Sequence, residues 1–235
     1  IDHHKKQASP PPVALVTAEP VGYTLPVWVC AAARAAVQVL ADAPFEADQW
    51  LQLDPALPDL APQPVPVVAA APLGEGRALA VARCESGAGL DLIRGLVVWV
   101  EASWRPLPVA EPLDWLQLEA GEGVGVHAGT RTICLSAFAR ALLELNLESL
   151  LPPGQGLRLQ VIFPTGRRLA ERTSNAAFGV VDGLALIGTQ ALVQQSAAPD
   201  QLAAARAELA QRVAAPDFGG DLVLVIGENG LDLAP

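Results

Sequence analysis

The sequence predicts an α+β domain built on a mixed or antiparallel sheet, followed by the start of an α/β domain. Three observations carry that expectation. An apolar, alanine-rich helix stands near the beginning, and short strands punctuated by proline fill residues 49–118. An amphipathic helix followed by an apolar strand then ends the chain, the step from which parallel α/β units are built. With 235 residues, 51% of them hydrophobic, there is enough material for a buried core in one large domain or two small ones. Aromatic residues make up only 5%, so that core must be built from Ala, Val and Leu.

Residues 1–20, rich in Pro and Ala around Pro10-Pro11-Pro12, read as a poorly ordered arm. Thr24 and Pro26 open the first helix, because proline suits a first turn whose N–H groups have no helical partner. Val27, Cys30, Val37 and Leu40 fall on one side of it, and Asp42 with Pro44 closes it. Strands are expected at Trp50–Leu53, Val65–Ala70, Ala78–Cys84, Gly95–Trp104 and Trp115–Leu118. Prolines at 55, 58, 62, 64, 66, 72, 106, 108 and 112 favour sheet edges and turns over a long central sheet. Leu135, Phe138, Leu142 and Leu145 recur at helical steps until Pro152-Pro153-Gly154. Leu157–Phe163 alternates as a strand, and Leu184–Ile187 reads as a short buried one. Pro199 begins a helix marked by Leu202, Ala205, Leu209 and Val213, and Asp221–Ile226 is the strand after it. The expected division is an arm at 1–20, the α+β domain at 21–195 and the start of the α/β domain at 196–235.

Composition narrows the partners. Against 25 acidic residues stand 15 basic ones, a net charge of −10, so a nucleic acid or an anionic membrane would meet a repulsive average field. The longest apolar stretch, Val27–Ala41, is interrupted by Arg34 and Gln38 and falls short of the ~20 residues of a spanning helix. Cys30, Cys84 and Cys134 are dispersed and odd in number, which suits reduced thiols in a cytoplasmic protein rather than a disulfide framework or a zinc pattern. Ile1–Gln7 has no apolar signal core. The chain starts with Ile1 and contains no Met, which suggests a natural amino terminus further upstream.

Several segments could carry chemistry. Gly121-Glu122-Gly123-Val124-Gly125 permits close backbone approach and could offer N–H groups to an anion or cofactor; it reads equally as a tight turn. It has neither the dinucleotide-binding spacing nor the Lys-Ser/Thr of a phosphate loop. His127 has no Ser or Cys neighbour that would make a triad legible, and neither a serine-hydrolase elbow nor a zinc-protease motif occurs. Between residues 131 and 172, Arg131, Arg140, Arg158, Arg167, Arg168 and Arg172 face only Glu144, Glu148 and Glu171, leaving a local charge of +3. Guanidinium groups bind carboxylates through two parallel hydrogen bonds, so a polycarboxylate ligand is compatible, as is an ordinary solvated face. Glu171 to Gly179 combines the neutral hydrogen-bonding groups of Thr173, Ser174 and Asn175 with glycine, ahead of an apolar run.

In order and spacing, these residues resemble the cobalt-precorrin-5B C1-methyltransferase family (CbiD). The resemblance rests on Gly121–Gly125, on Arg172-Thr173-Ser174-Asn175-Ala176-Ala177-Phe178-Gly179-Val180-Val181-Asp182-Gly183, and on Leu184-Ala185-Leu186-Ile187-Gly188-Thr189. Gly22-Tyr23-Thr24 before Cys30-Ala31-Ala32-Ala33, and Asp221–Ile226 before Gly227-Glu228-Asn229-Gly230, extend it along the chain. Leu25-Pro26-Val27 replaces a common Thr-Gly-Thr, and Asp91–Gly95 is only loosely like the family's Asp-x-Thr-His-Gly, which suggests a divergent, cyanobacterial-type branch. Relatives continue past the position of Pro235, so the resemblance implies a chain cut within its second domain.

What the resemblance implies is methyl transfer from S-adenosylmethionine to C1 of cobalt-precorrin-5B, giving cobalt-precorrin-6A in anaerobic cobalamin biosynthesis. Cobalt would arrive within the substrate, so no protein metal ligand is called for, and no catalytic side chain is singled out. On this reading Arg131, Arg140, Arg172, Thr173, Ser174 and Asn175 contact the corrinoid, while Gly121, Gly123, Gly125, Gly227 and Asn229 contact the cofactor. The expected partner is a small-molecule corrinoid intermediate, with no nucleic acid or membrane; a homo-oligomer is compatible. The alternative is a non-catalytic tetrapyrrole-binding or pathway-scaffolding protein.

Overall fold

The computed structural model describes residues 22–85, 92–107, 115–193, 199–216 and 218–220. The expected arm, the strand at 221–226, Gly227 and Asn229 lie outside them. In chain order the elements are helix α1 (Leu25–Leu40) and strands β1 (Asp48–Leu51), β2 (Gln63–Pro66), β3 (Ala69–Gly74), β4 (Arg77–Arg83), β5 (Val97–Pro106), β6 (Leu116–Ala120), β7 (Gly123–Val124) and β8 (Val126–His127). Helix α2 (Ala137–Leu147), β9 (Gln155–Ile162), helix α3 (Gly166–Ala170), β10 (Val180–Val181), β11 (Gly183–Leu184) and helix α4 (Pro199–Val213) follow. No helix among the described residues is long and apolar enough to cross a membrane.

A five-stranded sheet in the order β3-β4-β5-β9-β6 forms the main layer, antiparallel except for the parallel pair β6–β9. The mixed sheet expected from the sequence is therefore present. Ala78, Ala80, Ala82, Val98, Val100, Ala102, Leu157, Leu159 and Val161 point from its three central strands into the core. Their neighbours point out, where Arg77 pairs with Glu101 and Arg158 forks onto Glu119. This is the period-2 alternation of a sheet covered on one face. Proline sits where its missing N–H does least harm: Pro72 on edge strand β3, beside a bulge, and Pro64 and Pro66 in the separate two-stranded β1–β2 ladder. The expected single strand at 65–70 is divided at Val67–Val68, and its two halves join different sheets.

Helix α1 lies against β3, β4 and β5 on one side and against α2, β1 and β2 on others. The sequence pattern suggested one apolar side; instead Leu25–Ala33, Ala35–Val37 and Val39 are all buried. Alanines on the helix face alanines on the sheet, and side chains that small let the helix enter deeply. A helix that is apolar around its whole circumference is stable only when enclosed. At its start, Trp28 is 1% exposed, donates Nε1–H to the Tyr23 carbonyl at 3.1 Å, and meets the Tyr23 ring edge-on at 5.9 Å.

Helix α2 begins at Ala137, with the Ser136 hydroxyl accepting the Ala139 N–H at 3.1 Å. Leu135, expected inside the helix, instead forms a bridge with Leu186. The buried stripe is Ala139, Leu142, Leu143, Asn146 and Leu147, so a polar side chain replaces the expected Leu145. The Asn146 amide explains the exchange. Its Oδ1 accepts the Gln52 N–H at 2.8 Å and its Nδ2 donates to the Gln52 and Leu142 carbonyls, each at 2.9 Å. Asn146 thus takes the part of a neighbouring strand for Gln52. Arg34 of α1 donates to the Asn146 carbonyl at 2.9 Å, so one residue ties two helices and the segment after β1 together.

Removing that amide leaves the main-chain groups of Gln52 unpaired in a half-buried place. Asn146→Ala is expected to cost about 2–3 kcal/mol, seen as a lower urea midpoint at unchanged slope. The Cys30 thiol donates to the Leu142 carbonyl at 3.6 Å. Burial pushes its pKa from 9.0 up to about 12, with Arg34 opposing weakly. Between those values the unfolded chain loses the proton and the folded chain keeps it. The thiol's contribution is thus intact below pH 9.0 and is lost as pH rises toward 12. Relative to Cys30→Ala, the wild-type chain should lose up to about 1.4 kcal/mol per pH unit in that window, measured by urea unfolding at pH 8.5 to 10.5.

Candidate functional site

Three glycines distant in sequence meet behind the candidate site. Gly123 of β7 pairs in parallel with Gly183 of β11, and Gly166 opens α3 alongside. A Cβ on Gly183 would stand 1.9 Å from the Gly123 carbonyl oxygen, and one on Gly166 2.1 Å from the same atom. A Cβ on Gly123, where φ is 74°, would come within 2.0 Å of the Phe163 carbonyl oxygen. Main chain lies against main chain here, and only glycine allows it. The glycine run of 121–125 is spent on this crossing. The Gly121 N–H donates to the Val161 carbonyl and the Gly125 N–H to the Leu184 carbonyl, both at 2.7 Å. The Gly121 and Gly125 amides, two of those that suggested an anion cradle, are therefore bonded within the protein. The same crossing explains why the strand expected at 184–187 shortens to Gly183–Leu184 plus the Leu135–Leu186 bridge.

The segment from Thr173 to Gly183 folds back on this crossing. Asn175–Phe178 forms a single 3₁₀ turn, ended by Gly179 in the left-handed region at φ 68°. Thr173 Oγ1 donates to the Ala170 carbonyl at 2.7 Å and accepts the Asn175 N–H at 3.3 Å. Asn175 Nδ2 reaches the Gly183 carbonyl at 3.2 Å. Thr173 and Asn175 thus shape the turn, while the Ser174 hydroxyl has no hydrogen bond among the described residues. Arg131 and Asp182, both non-glycine residues at positive φ (59° and 70°), form an ion pair that fastens the turn after β8 to the β10–β11 corner.

The chain then runs as a strap from Gly188 to Val193. Ser136 Oγ donates to the Gly188 carbonyl at 2.9 Å. The Thr24 N–H donates to the Ala191 carbonyl, its hydroxyl to the Gln190 carbonyl, and the Val193 N–H to the Gly22 carbonyl, all at 2.8 Å. The Thr24 hydroxyl does not cap α1; it holds the strap.

Two clefts lie along the strap, and Thr189, Gln190, Leu192 and Val193 line both. The smaller, of about 690 Å³, is lined by Thr173, Ser174, Asn175, Phe178, Leu184 and Ile187, among others. Its rim is apolar yet open: Phe178 is 58% exposed, Ile187 55% and Leu192 44%. The larger, of about 1180 Å³, has Tyr23, Leu53, Asp54, Phe138 and Ala141 in its walls.

The structure divides the arginine cluster. Arg131 is paired with Asp182, Arg140 with Glu144 one turn along α2 at 2.8 Å, and Arg158 with Glu119 on the outer sheet face. Arg167, Arg168 and Arg172 are exposed on and just after α3, with no carboxylate partner among the described residues. Arg172 leads directly into the Thr173–Asn175 wall of the smaller cleft. His127 is exposed and joins β10 through the main chain alone. Sequence reasoning missed the larger cleft, because its lining residues come from four separate stretches of chain.

The CbiD family model matches residues 16–195, and the chain belongs to that family. Cobalt-precorrin-5B C(1)-methyltransferase from Synechococcus sp. (strain CC9605) is 61% identical over 213 residues, covering 91% of this chain and 56% of that protein. The proteins of the same name from Parasynechococcus marenigrum (strain WH8102) and Prochlorococcus marinus (strain MIT 9313) are 56% and 55% identical, with 57% and 56% of their lengths covered. This chain therefore spans a little over half the length of the curated relatives it matches. A crystal structure of a cobalamin biosynthesis protein (cbiD) from Archaeoglobus fulgidus has a TM-score of 0.52 at 22% identity, covering 82% of this chain and 60% of that one. At that identity the likeness concerns the fold.

The glycine crossing yields a direct test. Gly183→Ala drives a methyl group into a main-chain carbonyl that no rotamer change can relieve. It is expected to cost about 3 kcal/mol or more, lowering the thermal midpoint by several degrees in a calorimetric scan.

Proposed function

We propose that this chain forms the corrinoid-binding part of a cytoplasmic cobalt-precorrin-5B C1-methyltransferase, acting in cobalamin biosynthesis with S-adenosylmethionine as methyl donor. The observation that carries the reading is the smaller cleft. A corrin ring is a broad, largely apolar disc with carboxylates around its edge. The cleft offers the matching pattern, with Phe178, Ile187 and Leu192 exposed for the disc. Ser174 provides an uncommitted hydroxyl beside them, and Arg172 an uncommitted guanidinium at the border. Exposed apolar surface of this kind marks a binding face rather than a defect of packing.

When bound, S-adenosylmethionine supplies an electrophilic methyl on a positively charged sulfur, which leaves as a neutral thioether once the ring carbon has taken the methyl. The chain's own work is orientation and exclusion of water. The apolar rim fixes the plane of the disc, and Arg172, Ser174 and the Thr173–Asn175 turn set its rotation. Arg131 serves indirectly, by holding the Asp182 corner against which the turn rests. Arg140, paired with Glu144, lies on α2 and is assigned no direct contact. No side-chain nucleophile is required, because the nucleophile is the ring carbon itself.

Titration of this chain with cobyrinic acid, a corrinoid polycarboxylate, tests the assignment. Arg172→Ala is expected to weaken corrinoid binding about tenfold, the worth of one charge-assisted hydrogen bond, and to leave S-adenosylmethionine binding unchanged. Equal loss for both ligands, or loss for neither, would remove Arg172 from the corrinoid site.

A further inference from the structure

The larger cleft takes no part in the proposed corrinoid site, yet the two clefts share one wall. Transfer of a methyl group needs two ligands side by side, and the strap residues Thr189, Gln190, Leu192 and Val193 face both spaces. The electrical character of the larger cleft is one-sided. Among the described residues, Asp54 is the charged residue of its lining, and no cationic side chain contributes to it. Asp54 is half-buried; its Oδ1 accepts the Ala56 N–H at 2.9 Å, which fixes the carboxylate and leaves Oδ2 without a partner among the described residues. Around it the walls are apolar and aromatic, with Tyr23 and Phe138 from separate parts of the chain and Ala141 beside them in the lining. Gln63 and Gln190 add neutral polar groups. Such a space suits a ligand with a flat heterocycle and a positive charge.

We infer that the cleft between Tyr23, Asp54 and Phe138 is the site for the cationic methyl donor, with Asp54 as the charge partner of its onium group. The inference rests on the methyl-transfer reading and adds to it a place for the second ligand. The glycine run at 121–125 is a poorer place, because the Gly121 and Gly125 amides already donate to protein carbonyls and protein atoms, of both main chain and side chain, fill the space above the three glycines. Charge also separates the ligands. A polycarboxylate is drawn to the unpaired Arg172 side of the strap and repelled by Asp54, while a sulfonium has the opposite preference. Loss of the methyl turns the sulfonium into a neutral thioether, so a carboxylate here holds the donor more tightly than the spent product. Asp54 is on this account a binding residue that discriminates donor from product.

Calorimetric titration of this chain with S-adenosylmethionine and with S-adenosylhomocysteine reads that discrimination directly. The wild-type chain should prefer the charged ligand at least fivefold. Asp54→Asn keeps the hydrogen bond from Ala56 and is expected to abolish the preference while sparing S-adenosylhomocysteine. Ala141→Trp fills the cleft and is expected to abolish binding of both, with cobyrinic acid binding retained as the sign of an intact fold. Donor binding unaffected by either variant would overturn the site and leave methyl transfer standing. Corrinoid binding without any donor binding would likewise overturn it, placing the donor on a part of the protein beyond this chain. If neither ligand bound, the inference and the proposed function would fall together.

Discussion

Enclosure of α1 is the constraint on which the remaining architecture depends. The helix carries no charged residue except Arg34, and its alanines, valines and Cys30 are buried on every side. Each fully buried Val is worth roughly 1.5–3 kcal/mol, but only if sheet, α2 and the β1–β2 ladder are all in place. Small side chains on both partners bring the helix close to β4 and β5. The fit leaves little room for a larger residue, since interiors are packed as densely as organic crystals. Two of the polar residues that enter this region, Arg34 and Asn146, are committed, whereas the Oε1 atoms of Gln38, Gln49 and Gln52 are buried without a hydrogen-bond partner among the described residues. Arg34 bonds the Asn146 carbonyl, and the Asn146 amide completes the main chain of Gln52.

A second constraint, geometrical rather than hydrophobic, shapes the site. Main-chain contact among Gly123, Gly166 and Gly183 draws β7, α3 and β11 closer than any side chain would permit. The Thr173–Asn175 turn is then folded over the crossing, and the strap leaves it to meet the beginning of α1. The amino-terminal end of the central helix and the segment that follows β11 therefore share hydrogen bonds, although they are far apart in sequence. Both clefts are bordered by this closure, since Thr189, Gln190, Leu192 and Val193 of the strap line each of them.

Parts of this were legible in the residue pattern, and the reason is local. The helix after Thr24-Pro26, the strands of the main sheet and the proline-marked edges each follow from periodicity or from a missing N–H. Other features depended on partners that periodicity cannot name. Asn146 occupies a position that a helical repeat assigns to an apolar residue, and its fitness depends on Gln52. Helix α3 is too short for any repeat to announce. In the arginine cluster composition was informative, but its partition was not: Arg131, Arg140 and Arg158 each found a carboxylate, two of them on other elements.

The sequence by itself determined the class of fold, the family and the segment from Glu171 to Val193 as the one to watch. Those properties reside in the order of residues along the chain, and no distance is needed to read them. Only the tertiary structure decided what the glycines do, which arginines remain available, and that Asp54 faces a cleft beside Tyr23 and Phe138. Each of these is a relation between residues brought together by the burial of α1 and the glycine crossing. Charge and hydrogen bonding act through space, so their meaning appears only once that space is defined.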